Sequence, residues 1–241
     1  MDCVYCPPNS LNWYNTGEMK QIAWTALSAA LGAAILAAAP AQTSPADTVA
    51  RFEKTLLSLR SFQADFEQTS ASSSLSVPLK EKGRLFVQKG DLMRWEYDAP
   101  ERKTFIFKDG LALSYFPEDN QMWRQRISAE DMETDLPAIL TGKARLTERY
   151  TVALSPFPGS APGSPQLRLT PKADQNGSFI LIEIDPGTGM LRRAVLYDWA
   201  GNKTEFAFSR FKANPKLAPD FFELKVPPGC EVIDGERPRK K

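Results

Sequence analysis

Between Gly83 and Gln125 the chain alternates apolar and polar residues in short runs, broken at Gly90-Asp91, Asp109-Gly110 and the stretch from Pro117 to Asn120. In one run Met93, Trp95 and Tyr97 share a parity, and Arg94, Glu96 and Asp98 take the other. That period of two is what a strand with one apolar and one wet face requires. Gly, Asp and Asn between the runs supply the positive φ and local hydrogen bonds of tight hairpins. Four or five consecutive strands therefore pair antiparallel here, with one greasy face.

Upstream, Ser44-Pro45-x-Asp47 places a hydroxyl at an N-cap, proline at N1 and an acid near the positive end of a helix dipole. The predicted helix runs to about Arg60, and Val49, Phe52, Leu56 and Leu59 form a stripe that must lie on an apolar surface. From Phe62 the period switches to two, with Phe62, Ala64 and Phe66 on one side. Ser70 to Ser76 reads as a serine-rich loop. Ser128 to Thr141 interrupts the strands; its acids lead into Leu136-Pro137-Ala138-Ile139-Leu140 and end at Gly142, the pattern of one or two short helices. Their apolar residues require them to fold back on the sheet as a lid.

Strands resume at about 150–154, 166–170, 179–184, 191–197 and 204–211, and a last one is expected near Phe221 to Val226. Pro156 to Pro165 is a loop by composition. About eleven strands in one antiparallel sheet must curl as twist accumulates. The expected class is β-rich α+β, an unclosed barrel whose concave apolar face is covered by the N-terminal helix and the mid-chain lid.

The first 41 residues have a different character. Lys20, the small-residue apolar run Ile22 to Ala39, and Ala37-x-Ala39 or Ala39-x-Ala41 make the pattern of a cleavable secretory signal over 19–41. Residues 1–18 then read as an extension upstream of the true initiator Met19, with a genuine cytoplasmic extension as the alternative. The apolar run is also long enough to be weighed as a membrane anchor, although alanine dominates it. A lipoprotein signal would need a cysteine directly after the cleavage site, where none stands.

The 42–241 remainder is ample for one sizeable core. Removing residues 1–41 takes away Lys20, Asp2 and Glu18 among charged side chains, so the near-neutral balance of a chain of net charge +1 persists. Interspersed charges of that kind form no basic stripe for nucleic acid. Only Cys230 of the three cysteines lies in this remainder, which excludes an internal disulfide there.

The chain has no histidine, so the usual general base near neutral pH and the commonest metal ligand are missing. It has no phosphate loop, no G-x-S-x-G elbow and no dinucleotide fingerprint. Paired acids such as Glu96 with Asp98, or Glu130 with Asp131, belong equally well to a solvated face. No enzyme activity, metal or cofactor is expected.

Arg94-Trp95-x-Tyr97-x-x-Pro100, followed by Asp109-Gly110 and Leu113-x-Tyr115, resembles the periplasmic carriers of outer-membrane lipoproteins, the LolA family. The likeness extends to Phe62-x-Ala64-x-Phe66-x-Gln68, to Gly201-Asn202-Lys203-Thr204-x-Phe206-x-Phe208 and to Phe222-x-Leu224-x-Val226-Pro227-Pro228-Gly229. It implies a hydrophobic cavity between half-barrel and lid that takes acyl chains. On this chain the cavity positions would be Phe52, Leu56, Phe62, Phe66, Leu85, Val87, Met93, Trp95, Tyr97, Leu113, Tyr115, Leu136, Ile139 and Leu140; read without the resemblance, the same residues are plain core. The family's lid is latched by an arginine after the second central strand, where this chain has Lys89 and Gly90. Implied partners are acylated lipoproteins as cargo, an ATP-driven release complex in the inner membrane and an outer-membrane receptor, with the carrier a periplasmic monomer. The alternative is a related half-barrel that senses lipid or a partner without shuttling cargo.

Overall fold

The computed structural model describes residues 44–72, 76–127, 136–143, 145–173 and 176–235, all within one compact unit, Gln42–Lys241. The expected signal segment and the acids of 128–135 lie outside the described residues. The elements run α1 (Pro45–Ser58), β1 (Ser61–Ala71), β2 (Leu79–Gln88), β3 (Leu92–Ala99), β4 (Lys103–Lys108), β5 (Leu111–Phe116) and β6 (Gln121–Arg126). Then come α2 (Leu136–Thr141), α3 (Leu146–Arg149), β7 (Tyr150–Leu154), β8 (Gln166–Pro171), β9 (Phe179–Ile184), β10 (Leu191–Tyr197), β11 (Lys203–Ala213) and β12 (Glu231–Gly235).

The twelve strands of the described residues form one sheet, ordered β12-β6-β5-β4-β3-β2-β1-β11-β10-β9-β8-β7. Two meanders, β1–β6 and β7–β11, are joined by the antiparallel β1–β11 pair, and the helices α2 and α3 lie between them in sequence. The ends β12 and β7 do not pair, so the curled sheet is an unclosed barrel.

Two expectations need correction here. Phe221 to Val226 is not a strand; it crosses the outer face of the sheet, where Phe222 packs with Phe86 and Ile106. Among the described residues the last strand is β12, and it runs parallel to β6, so the sheet is not purely antiparallel. The parallel pair arises because the 214–230 segment carries the chain across the outer face before it turns back: Arg94 donates to the Phe221 carbonyl at 2.9 Å on the way, and Arg124 meets Asp234 at 2.6 Å at the edge.

Local chemistry accounts for the elements that frame the concave side. The Ser44 hydroxyl caps α1 by accepting from the Asp47 N–H at 3.1 Å, with Pro45 at N1. The β2–β3 turn is the three-residue loop Lys89 to Asp91 between paired Gln88 and Leu92, with Gly90 and Asp91 both at positive φ, 92° and 64°, a conformation glycine adopts freely and aspartate tolerates. At Gly83, beside a register shift between β2 and β3, an added Cβ would sit 1.9 Å from the Glu96 carbonyl oxygen. Only a glycine lets these backbones approach so closely.

The sheet separates two apolar layers. The larger lies on the concave side and contains Phe62, Phe66, Leu85, Met93, Trp95, Ile180 and Ile182 from the strands, Val49, Phe52 and Leu56 from α1, and Leu136, Ala138, Ile139 and Leu140 from α2. On the outer face two smaller clusters are covered by irregular chain: Phe86, Ile106 and Phe222 under the C-terminal segment, and Phe157, Leu181 and Val195 under the 155–165 loop. That loop is held by Glu183, wholly buried, which accepts from the Ala161 N–H at 2.8 Å. Among the described residues no helix is long and apolar enough to cross a membrane.

Candidate functional site: an apolar half-barrel under a helical lid

Phe66 is the centre of the concave face. Its ring meets Trp95 and Tyr97 edge-on at centroid distances of 5.0 and 4.9 Å, and Trp95 continues the contact to Phe206 at 5.5 Å. Such tilted and edge-to-face pairs are worth about 0.5–1.5 kcal/mol each beyond the area they bury. Tyr97 carries the polar end of this aromatic layer: its hydroxyl donates to Gln68 Oε1 at 2.7 Å. Burial, and then the charge of Glu81, hold the Tyr97 phenol neutral well above its ordinary range. Glu81 is itself paired with Lys103 at 2.5 Å, and that ammonium sits 4.7 Å above the Tyr97 ring. This leaves a hydrocarbon floor with its few polar atoms satisfied at one end.

Over the floor lie α1 and α2. Leu136, Ala138, Ile139 and Leu140 are each no more than 3% exposed, so α2 presents its apolar side wholly to the sheet. Glu53 of α1 accepts from the Leu146 N–H at 2.7 Å, and Lys143, just beyond α2, pairs with Asp91 in the β2–β3 turn at 2.5 Å.

The structure gathers most of the sequence-selected positions. Phe52, Leu56, Phe62, Phe66, Leu85, Val87, Met93, Trp95, Leu136, Ile139 and Leu140 are buried in the concave cluster and Tyr97 packs against it. Leu113 and Tyr115 do not belong there. Strand β4 sends Phe105 and Phe107 to the concave side and Ile106 to the other, and Leu113 lies opposite Ile106. Leu113 therefore packs in the outer cluster. Tyr115 shares its parity, opposite Thr104, and lines a surface hollow with Arg84, Asp98 and Arg102. On β5 it is Phe116 that faces inward, 6.1 Å from Phe105.

Lys89 does not take the position of a latch. It is exposed, its backbone N–H donates to the Arg60 carbonyl at 2.9 Å, and its side chain has no partner among the described residues. The turn reaches the lid instead through Asp91, two residues later, and the charge that meets it comes from the lid side. Around this contact the ends of α1, α2 and the β2–β3 turn enclose a cavity of about 320 Å³ lined by Leu56, Leu59, Val87, Leu140 and Lys143.

The second meander supplies wall residues that the sequence reading did not select: Leu167, Leu169, Ile180, Ile182, Ile184, Met190, Leu191, Phe206, Phe208 and Phe211. Phe206 and Phe208 show the same alternation as Met93 and Trp95 and were open to the same argument. The acid pair Glu96 and Asp98 stands on the outer face in a charge network with Arg84 and Arg94. Among the described residues no cluster of acids or cysteines could hold a metal ion.

The profile of the outer membrane lipoprotein carrier protein LolA matches residues 58–225. The chain belongs to the LolA family. It is 28% identical over 214 residues to an outer-membrane lipoprotein carrier protein of Xanthomonas oryzae, covering 89% of this chain and 97% of that one. A carrier of the same name from Coxiella burnetii is 24% identical over 192 residues, covering 79% and 89%. Among solved structures an uncharacterized conserved protein from Thermus thermophilus superposes with a TM-score of 0.52 at 14% identity, covering 79% of this chain and 98% of that one. That likeness extends to the fold alone.

Proposed function

We propose that this LolA-family chain carries lipoproteins across the periplasm by holding their acyl chains on the concave face of the half-barrel, beneath α1 and α2. The observation that carries the reading is the lid. A six-residue helix has little stability of its own in water, yet α2 buries its apolar residues completely on a sheet face made of aromatic and aliphatic side chains. An acyl chain offers that face the same kind of surface, at about 0.8 kcal/mol per buried methylene. Lid and acyl chain are therefore interchangeable occupants of one surface.

Cargo loading is an exchange: the lid leaves, acyl chains take its place, and the exposed lid residues cover the bound chains from outside. An inner-membrane release complex supplies the energy for loading and an outer-membrane receptor accepts the cargo. The segment 19–41 serves as the export signal, and the carrier itself is the 42–241 unit. Native mass spectrometry after co-expression with a lipoprotein tests the proposal. A complex of one carrier with one acylated lipoprotein is expected; free phospholipid alone, or an empty protein, would refute it.

A further inference from the structure

Strands β10 and β11 pair from Tyr197 with Lys203 to Arg193 with Ala207 and then part. Beyond that point β11 continues on β1, with Arg210 at a positive φ of 50° and a register shift, so the β10 side of Ser209 to Phe211 has no ladder partner among the described residues. A cavity of about 510 Å³ opens at the fork. Its inner wall is apolar and belongs to the concave layer: Phe62, Leu140, Met190 and Phe208. Its outer rim is polar, with Arg192, Ser209 and Arg210 all exposed.

We infer that this fork is where the polypeptide of an acylated cargo leaves the half-barrel, adding itself in extended form to the free edge of β11. The inference rests on the carrier reading above and assigns a separate place to the cargo's peptide. Two features select an acylated polypeptide over a lipid alone. The cavity runs without a break from apolar wall to charged rim, which suits a molecule whose hydrocarbon is joined to a polar chain. The open strand edge offers backbone N–H and C=O groups, which a peptide backbone can match in register and a fatty acid cannot. Leu140 of α2 lines the cavity, so displacing the lid widens the fork from within.

The test uses the exported protein and two probes: a synthetic peptide bearing an N-terminal triacylated cysteine, and a fluorescent fatty acid with no peptide. A photoreactive residue in place of Arg192 should cross-link to the peptide portion of the first probe. Ser209→Trp, which fills the rim without entering the core, should weaken lipopeptide binding about tenfold while fatty-acid affinity stays within about twofold, an internal control for the fold. Cross-links confined to the acyl portion, or absent, would overturn the fork site and leave the carrier reading standing, as would equal loss of both probes. If the unmodified protein binds neither probe, both readings fall.

Discussion

The ion pair between Asp91 and Lys143 should add a small, salt-sensitive share to lid closure, and Lys89 should add none. Both partners are substantially exposed, 36% and 44% by side chain. Exposed pairs contribute about 0.2–1 kcal/mol, and salt screens them. Taking about 0.5 kcal/mol, Lys143→Met removes the charge while retaining the stem's length and raises the open-lid population about twofold. In the exchange proposed above acyl chains bind where α2 has lifted, so apparent affinity should rise by the same factor while the open form is the minor one. Titration with a fluorescent fatty acid at low and high ionic strength reads this directly. Lys143→Met and Asp91→Asn should bind about twofold more tightly than wild type at low salt, the double variant no more tightly than either, and the differences should vanish at high salt. Lys89→Ala should match wild type throughout. If Lys89→Ala tightens binding while Lys143→Met does not, the turn holds the lid through its lysine and the reasoning from Asp91 is wrong.

Three further outcomes follow from the packing. Gly83→Ala should destabilise the protein by roughly 1–3 kcal/mol in urea unfolding, because the new Cβ meets backbone and not a movable side chain; a neutral result would mean the β2–β3 approach is looser than 1.9 Å implies. Phe66→Ala, at the centre of the aromatic layer, should cost about 3–5 kcal/mol of stability, measured by thermal or chemical unfolding. Acid should loosen the β9–β10 hairpin. The Thr188 N–H donates to Asp185 at 2.7 Å, and the Thr188 hydroxyl and Gly187 N–H also donate to it, holding its carboxyl below the usual range. A depressed native pKa adds stability that is present above the unfolded value of 3.8 and lost as pH falls through the lower native one. The protection factor of the Thr188 amide, its exchange rate relative to the intrinsic one at the same pH, should therefore fall below about pH 4 in wild type, and already be low at neutral pH in Asp185→Ala.

How much of this was legible in the sequence depends on whether a strand has one covered face or two. Strand β3 has Met93, Trp95 and Tyr97 on one parity and charge on the other, so its apolar side could be read without the structure. Strand β5 carries Leu111, Leu113 and Tyr115 on one parity and Ala112 and Phe116 on the other. Both faces of the sheet are covered there, the outer one by the C-terminal segment, and alternation cannot say which is concave. The false strand at Phe221 to Val226 has the same cause. Phe222 and Leu224 alternate because they rest on a sheet face, a periodicity that a ladder strand would share. Asp91 and Lys143 lie far apart in sequence, and no local pattern announces their meeting. The family likeness placed a cation in this turn; here the turn contributes the acid, Asp91, and Lys143 beyond α2 the cation.

Reversibility of carriage can be argued from the same contacts. Closing the lid buries Leu136, Ile139 and Leu140, each worth about 1.5–3 kcal/mol, so opening an empty carrier costs several kcal/mol. Binding one long acyl chain returns more than that, at about 0.8 kcal/mol per methylene, and the difference sets the affinity. A stiffer or more apolar lid would empty the carrier early, and one less apolar would hold cargo against any receptor. Leu140→Ser should therefore tighten fatty-acid binding while lowering the stability of the empty protein, two effects of opposite sign from one truncation. Leu140 occupies the junction of both openings, lining the 320 Å³ cavity at the α2 end and the 510 Å³ cavity at the fork. If Leu140→Ser weakens binding as well as stability, the residue acts as part of the acyl-binding wall, and the lid does not compete with cargo for the sheet.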